Sequence, residues 1–281
     1  KNKHDLNNGK INCCQICSSQ ELKKIIDFGH QAPCDSLIWP EQLNKPETRY
    51  PLNLIRCQNC GLVQLDHVVD HKELFFAEYP YRSGITSTLA NNLRATASTI
   101  VKRYRLPKGG LAVDLGSNDG TLLEGFQNEK MKVLGIEPTN IANLANEKGI
   151  KTIQKFFDDA LVPRIIKEYG KAEVITACNM FAHVSKLGSL IKGAENLLVE
   201  NGLFVTESHY LLDLLDTVQY DSIYHEHLKY YSVKSILKLF DFYNFTVIDI
   251  EKIPNYGGSI RVYARKGKSH QVSENVDFLL K

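Results

Sequence analysis

The sequence predicts an α/β chain: a mostly parallel sheet closed by one antiparallel strand, preceded by a small cysteine-rich domain. Three observations carry that expectation. Short apolar runs alternate with helical stretches from residue 111 onward, the last two runs flank a glycine-containing turn, and six of the seven cysteines fall within the first 60 residues. A length of 281 residues suits two domains, one of them small. Apolar residues at 43% and charged residues at 23% exclude a largely disordered chain. With 34 Lys and Arg against 32 Asp and Glu, a net charge of +2 argues against a nucleic-acid binder working by bulk charge. No apolar run approaches the roughly 20 residues of a membrane span, and the polar first ten residues carry no secretory apolar segment. The expectation is a cytoplasmic chain without a membrane or nucleic-acid partner.

Taken from the N-terminus, the first signal is metal. Cys14 and Cys17 form one C-x2-C pair, Cys57 and Cys60 a second, and Gly61 follows the second. Two thiolates three positions apart face one ion when a tight turn lies between them, and two such turns close a tetrahedral structural zinc site. A disulfide framework needs an oxidising compartment that nothing here points to. Cys13 is a possible substitute for Cys14, whose spacing is better. His30 and Cys34 read as loop beside Pro33, and Cys178 reads as a small core residue. The stretch between the pairs is too long for a bare loop and must carry structure of its own.

The elements that follow are a lone helix over 89–104, then strand 111–115, a run of apolar residues that glycine ends, and helix 121–129. Strand 132–136, helix 141–148 and strand 172–177 come next. Helix 186–199 closes on Glu-Asn-Gly ahead of strand 203–206. Ser232 is placed to cap an amphipathic helix over 232–241. Strands 245–250 and 259–264 form the terminal hairpin around a turn at 254–258. Domain boundaries are expected at 1–75 and 76–270, with 271–281 as the start of a truncated or missing C-terminal domain.

The segment 113–121 (Val-Asp-Leu-Gly-Ser-Asn-Asp-Gly-Thr) carries the strongest chemical signal of this half. A buried strand ends in Asp114, and Gly116, Asn118 and Gly120 form the turn that opens the next helix. Glycines there let a ligand approach the backbone at the carboxyl end of the strand. A dinucleotide fingerprint would need G-x-G-x-x-G, and the acids at 114 and 119 would repel a pyrophosphate. They suit a ligand bearing an ammonium and a sulfonium, which is S-adenosylmethionine. Glu137, at the end of the second strand, is placed to accept both ribose hydroxyls. These features predict a Rossmann-like class I methyltransferase fold behind a zinc-binding domain.

The motifs also resemble those of a family, the C-methyltransferases of nucleotide-linked deoxysugars. The matching pieces are Cys14 with Cys17, 27–31 (Asp-Phe-Gly-His-Gln), 56–64 (Arg-Cys-Gln-Asn-Cys-Gly-Leu-Val-Gln), 78–83 (Glu-Tyr-Pro-Tyr-Arg-Ser), 113–121, 135–138 (Gly-Ile-Glu-Pro), 179–184 (Asn-Met-Phe-Ala-His-Val), 220–227 (Tyr-Asp-Ser-Ile-Tyr-His-Glu-His) and 257–263 (Gly-Gly-Ser-Ile-Arg-Val-Tyr). They run in the same order over roughly residues 10 to 265. The resemblance implies a keto-sugar nucleotide as substrate, Asn179 at the cofactor, and a C-terminal domain that helps hold the sugar. It also implies a base that removes a proton beside a ketone, since methylation at carbon needs a carbon nucleophile. His227 is the expected base, with His225 and His183 as other candidates. Glu226 and Tyr224 would orient the sugar or the enolate oxygen, and Tyr79 and Tyr81 would reach the substrate from the zinc domain. The plainer readings are a hydrogen-bonded structural His183, an edge strand over 224–227, an oxygen or nitrogen methyl acceptor, and a zinc-ribbon binding module on a non-catalytic scaffold.

Overall fold

The structure, a computed structural model, describes residues 2–76 and 79–280. Glu78 of the 78–83 motif and Lys281 lie outside the described residues, as do Lys1 and Ala77. The N-terminal part holds β1 (Gly9–Lys10), β2 (Leu22–Gln31), β3 (Tyr50–Cys57), β4 (Val63–Leu65), β5 (His67–Val68) and the short helix α1 (His71–Leu74). The larger part runs α2 (Ser87–Tyr104), β6 (Leu111–Leu115), α3 (Thr121–Asn128), β7 (Lys132–Ile136), α4 (Ile141–Glu147), β8 (Thr152–Ile153), α5 (Val162–Tyr169), β9 (Ala172–Cys178), α6 (Leu187–Leu197) and β10 (Leu198–His209). It continues through α7 (Leu211–Asp216), β11 (Lys229–Tyr230), α8 (Val233–Phe240), β12 (Phe245–Ile253), β13 (Ser259–Lys266) and α9 (Glu274–Leu280).

Seven strands make the main sheet in the order β12-β13-β10-β9-β6-β7-β8, with β13 antiparallel to both neighbours and the others parallel. The predicted strands of this sheet are all present. Each central strand is a run of apolar residues because helices cover both faces, so burial leaves no polar side to alternate with. Ser232 caps α8 as expected, its hydroxyl accepting from Ser235 N at 3.3 Å. Strand β10 is longer than 203–206, and its extension carries His209 to the strand's carboxyl end.

The two parts trade segments. β11, which follows the 224–227 run, pairs with β4 and completes a four-stranded sheet in the order β11-β4-β3-β2. In return, Leu6 N donates to Ser185 O, Ser189 N donates to Asp5 Oδ1, and the His4 ring meets the Tyr243 hydroxyl. Cys14, Ile16, Cys57, Cys60 and Leu62 belong to the same apolar core as β6, β9 and α6. Helix α9 packs on β12 and α8 through buried Val276, so residues 274–280 lie against the main sheet. No helix among the described residues is long and apolar enough to cross a membrane.

Candidate active site

Four strand ends of the main sheet open into one cleft of about 540 Å³. It is the crevice expected beyond the carboxyl ends of parallel strands. Gly116 follows β6, Glu137 follows β7, Asn179 follows β9, and His209 ends β10. Tyr79 and Tyr81 line it from the connector, Asp35 from the N-terminal part, and Tyr224, Glu226 and His227 from the segment before β11.

At the β6 end the backbone turns through Gly116 with φ +69°, and a Cβ there would sit 2.9 Å from Met180 Cγ. Asn118 also has positive φ. Its backbone N donates to Glu137 Oε2 at 3.0 Å, and its side chain is spent on Ser83 N and the Tyr81 carbonyl. Glu137 Oε1 accepts from Thr139 N and Oγ1. The carboxylate is therefore fixed in orientation and still on the cleft wall. Asp114 is buried, accepts from Thr176 Oγ1 at 2.6 Å and has no cation partner among the described residues. Burial pushes its carboxyl up to about 7, against the pull of the Thr176 hydroxyl. Ser117 Oγ is a buried hydroxyl without a partner on the same wall. A buried acid lacking a cation, an unpartnered hydroxyl and a backbone that admits no Cβ fit an ammonium-bearing nucleoside ligand.

Two residues of the glycine segment are placed otherwise. Asp119, read from sequence as facing the ligand, is turned inward to Thr121, Gly84 N and Lys148, because it caps the turn into α3. Gly120 is away from the cleft wall and has φ +80°, with Ile150 against the position of a Cβ.

Three histidines gather in the cleft. The His227 ring lies 4.9 Å from His183 and 4.7 Å from His209, centre to centre. Tyr224 stacks on His227 at 3.9 Å, and Phe75 on His183. His227 Nδ1 is 2.8 Å from Ser222 O. A carbonyl can only accept, so the proton is on Nδ1, and Nε2 carries a lone pair. Burial, and the neighbouring His183 and His209, hold His227 well below the ordinary histidine range. Burial first, then His209 and Lys229, brings His183 down to about 3. His225 is not in the cleft. It turns to Tyr50, its Nε2 at 3.3 Å from the Tyr50 carbonyl, because residues 224–227 make a turn, closed by His227 N donating to Tyr224 O at 3.0 Å, that leaves the 225 side chain outside the cleft. The run is a loop leading into β11 rather than an edge strand. His209 and Asp35 were not found from sequence. His209 follows a predicted strand closely enough for the strand-end rule to have found it. Asp35 carries no local signal.

The four sulfurs of Cys14, Cys17, Cys57 and Cys60 lie within 4.8 Å of one another, with Cys14 to Cys60 at 3.4 Å and Cys17 to Cys57 at 3.5 Å. All seven cysteines are free thiols. Sulfurs around a tetrahedral zinc are about 3.8 Å apart for a Zn–S distance near 2.3 Å, so a small adjustment admits the ion. Cys13 and His30 are outside this group.

The fold is that of the class I S-adenosylmethionine-dependent methyltransferases, and the four-cysteine cluster fits a structural zinc. Residues 14–75 match a family model described as "Putative zinc binding domain", and residues 89–250 match one described as "Methyltransferase domain". The second spans more than half of the chain, which belongs to the methyltransferase-domain family. The C-methyltransferase NovU of Streptomyces niveus is 31% identical over 272 residues, covering 96% of this chain and 64% of NovU. The chain thus spans just under two thirds of that relative's length. Among solved structures, magnesium protoporphyrin IX methyltransferase (ChlM) from Synechocystis with bound SAH has a TM-score of 0.50 at 12% identity, covering 66% of this chain and 90% of ChlM. An S-adenosylmethionine-dependent methyltransferase from Clostridium acetobutylicum gives 0.50 at 13%, over 64% of this chain and 92% of its own. At such identities the likeness is one of fold.

Proposed function

We propose that this protein methylates a carbon beside the keto group of a nucleotide-linked deoxysugar, with His227 as the base. The observation that carries the reading is His227, neutral and fixed by Ser222, in the same cleft as the Gly116 turn and Glu137. The resemblance of the 220–227 run to sugar C-methyltransferases and the likeness to NovU support carbon as the acceptor. When bound, S-adenosylmethionine supplies an electrophilic methyl group on a sulfonium. Asp114 would take its ammonium and Glu137 its ribose hydroxyls, while Gly116 would let it lie against the backbone; Asn179 lines the same cleft and would help hold it. His227 Nε2 takes the proton from the substrate carbon, whose electron pair becomes the nucleophile. Tyr224 and Tyr79 fix the sugar, and His183 and His209 keep the base uncharged. Cys14, Cys17, Cys57 and Cys60 would hold the zinc, which would tie together the two turns that flank the segment carrying Asp35. Four zinc-binding thiols suit a reducing compartment, the cytoplasm.

The test is exchange without methyl transfer. With a keto-sugar nucleotide, demethylated cofactor and deuterated water, deuterium should enter at the target carbon. Label from the methyl donor should then appear as a nonexchangeable C–CH3. Label on oxygen or nitrogen instead overturns the reading.

A further inference from the structure

In the same cleft, three segments bring oxygen and sulfur together. Cys34 Sγ, Asp35 and Glu226 carboxylate oxygens lie within 4.8 Å of one another. Tyr79 Oη is 3.2 Å from Asp35 Oδ2 and 2.9 Å from Glu226 Oε2. Asp35, Tyr79 and Glu226 all line the cleft, and Glu226 is only 3% exposed. The groups facing Glu226 are Cys34 and Asp35 from the N-terminal part, Tyr79 from the connector and Tyr224 from its own segment. None is a cation, and neither acid makes a salt bridge among the described residues.

Hydrogen counting then limits the protonation state. The phenol has one proton and satisfies one carboxylate. The Cys34 thiol is a weak donor at 3.9 Å from Glu226 Oε1. With both acids ionised, one carboxylate oxygen would face the phenol's lone pairs, and two like charges about 4 Å apart cost on the order of 4 kcal/mol near a protein surface. One extra proton removes the charge repulsion, as in other close carboxyl pairs. It belongs on the more buried partner. Burial, then Asp35, pushes Glu226 up to about 8.

We propose that Asp35 is a positioning residue that keeps Glu226 in its acid form, so that Glu226 offers an O–H hydrogen bond to the substrate's keto oxygen. The proposal rests on the carbon-acid reaction above. As the C–H bond breaks, its proton goes to His227 Nε2 and its electron pair spreads onto the oxygen. The hydrogen bond from Glu226 strengthens there while the carboxyl keeps its proton. Adjacent residues thus serve as uncharged base and uncharged acid, each set by its surroundings. The zinc domain contributes through Asp35, a residue that needs no contact with the sugar.

Infrared titration of the zinc-loaded full chain, without substrate, tests the pair directly. The wild type should show a protonated-carboxyl band at pH 7 that disappears as pH rises through about 8. Glu226→Gln should abolish that band, which separates it from the Asp114 carboxyl. Asp35→Asn, an isostere, should move its loss to lower pH by about one unit. Cys34→Ser leaves both acids and should leave the band in place. In turnover, wild-type activity should fall as pH rises through the same titration, and Asp35→Asn should lose it about one unit earlier. Glu226→Gln, whose amide still donates, should retain turnover reduced about tenfold and lose that alkaline limb. A band unmoved in Asp35→Asn overturns the proposal. So does activity that rises with pH and vanishes in Glu226→Gln, or a second equivalent of metal lost in both variants. If the keto-sugar proves to be the wrong substrate, the infrared result stands on its own. If the band is missing while deuterium exchange occurs, only the acid pair is wrong.

Discussion

Glu137 spends both oxygens on the backbone of its own and the glycine turn, yet it stays on the cleft wall. Glu137→Ala removes charge-assisted acceptors and should weaken S-adenosylmethionine binding by about 1.5–3 kcal/mol, read by titration calorimetry. For the base, His227→Asn should cut deuterium exchange and turnover about 10²–10⁴-fold. His225→Asn should do far less, because that ring faces Tyr50. Exchange that survives in His227→Asn but stops when His183 is replaced would move the base to the end of β9. At this scale much of the site was legible. The cysteine spacing, Gly116 and Glu137 are local patterns. Asp35 was not, because its importance comes from Tyr79 and Glu226, which only folding brings to it. Asp119 misled for the opposite reason: its acid is consumed by the turn it caps.

Strands β10 and β13 place Glu207 opposite Arg261, and both are buried. Arg261 Nε donates to Glu207 Oε2 at 2.8 Å, and its guanidinium also reaches Thr96 Oγ1, tying the sheet to α2. Glu207→Ala leaves the guanidinium without its anion and should cost roughly 3–5 kcal/mol, seen as a lowered denaturant midpoint. The elements of the main sheet were readable because covered parallel strands are plain apolar runs. The N-terminal sheet was not. Nearly all of β2 is exposed, so no alternation marks it, and Ile25 and Ile26 break the pattern with exposed side chains. Helix α5 carries Pro163 in its first turn, where a helix needs no N–H.

Five titratable groups that line the cleft make the stability of the molecule depend on pH. His183, His209 and His227 are held uncharged, and their unfolded values are near 6.5. Below that pH the unfolded chain takes up protons that the folded one refuses, so their contribution falls with acid. Asp114, at about 7, and Glu226, at about 8, have unfolded values near 4. Between those limits the folded state holds protons that the unfolded one releases, so their contribution falls as pH rises. Three histidines outweigh two acids below pH 6.5. Stability should therefore fall as pH drops below 6.5, and calorimetric melting from pH 6.5 down to 5 checks this. Cys57→Ser should abolish zinc in elemental analysis and lower the melting temperature, since Cys57 is buried in the core shared with β6.

The pairing of β4 with β11 also sets an order of events during synthesis. The zinc turns are complete once Cys60 has left the ribosome, but Val63 waits for Tyr230, and Leu6 waits for Ser185. The nascent N-terminal part can therefore be metallated early while its sheet edge stays open. Through most of translation that edge is open to wrong pairing, until β11 covers it.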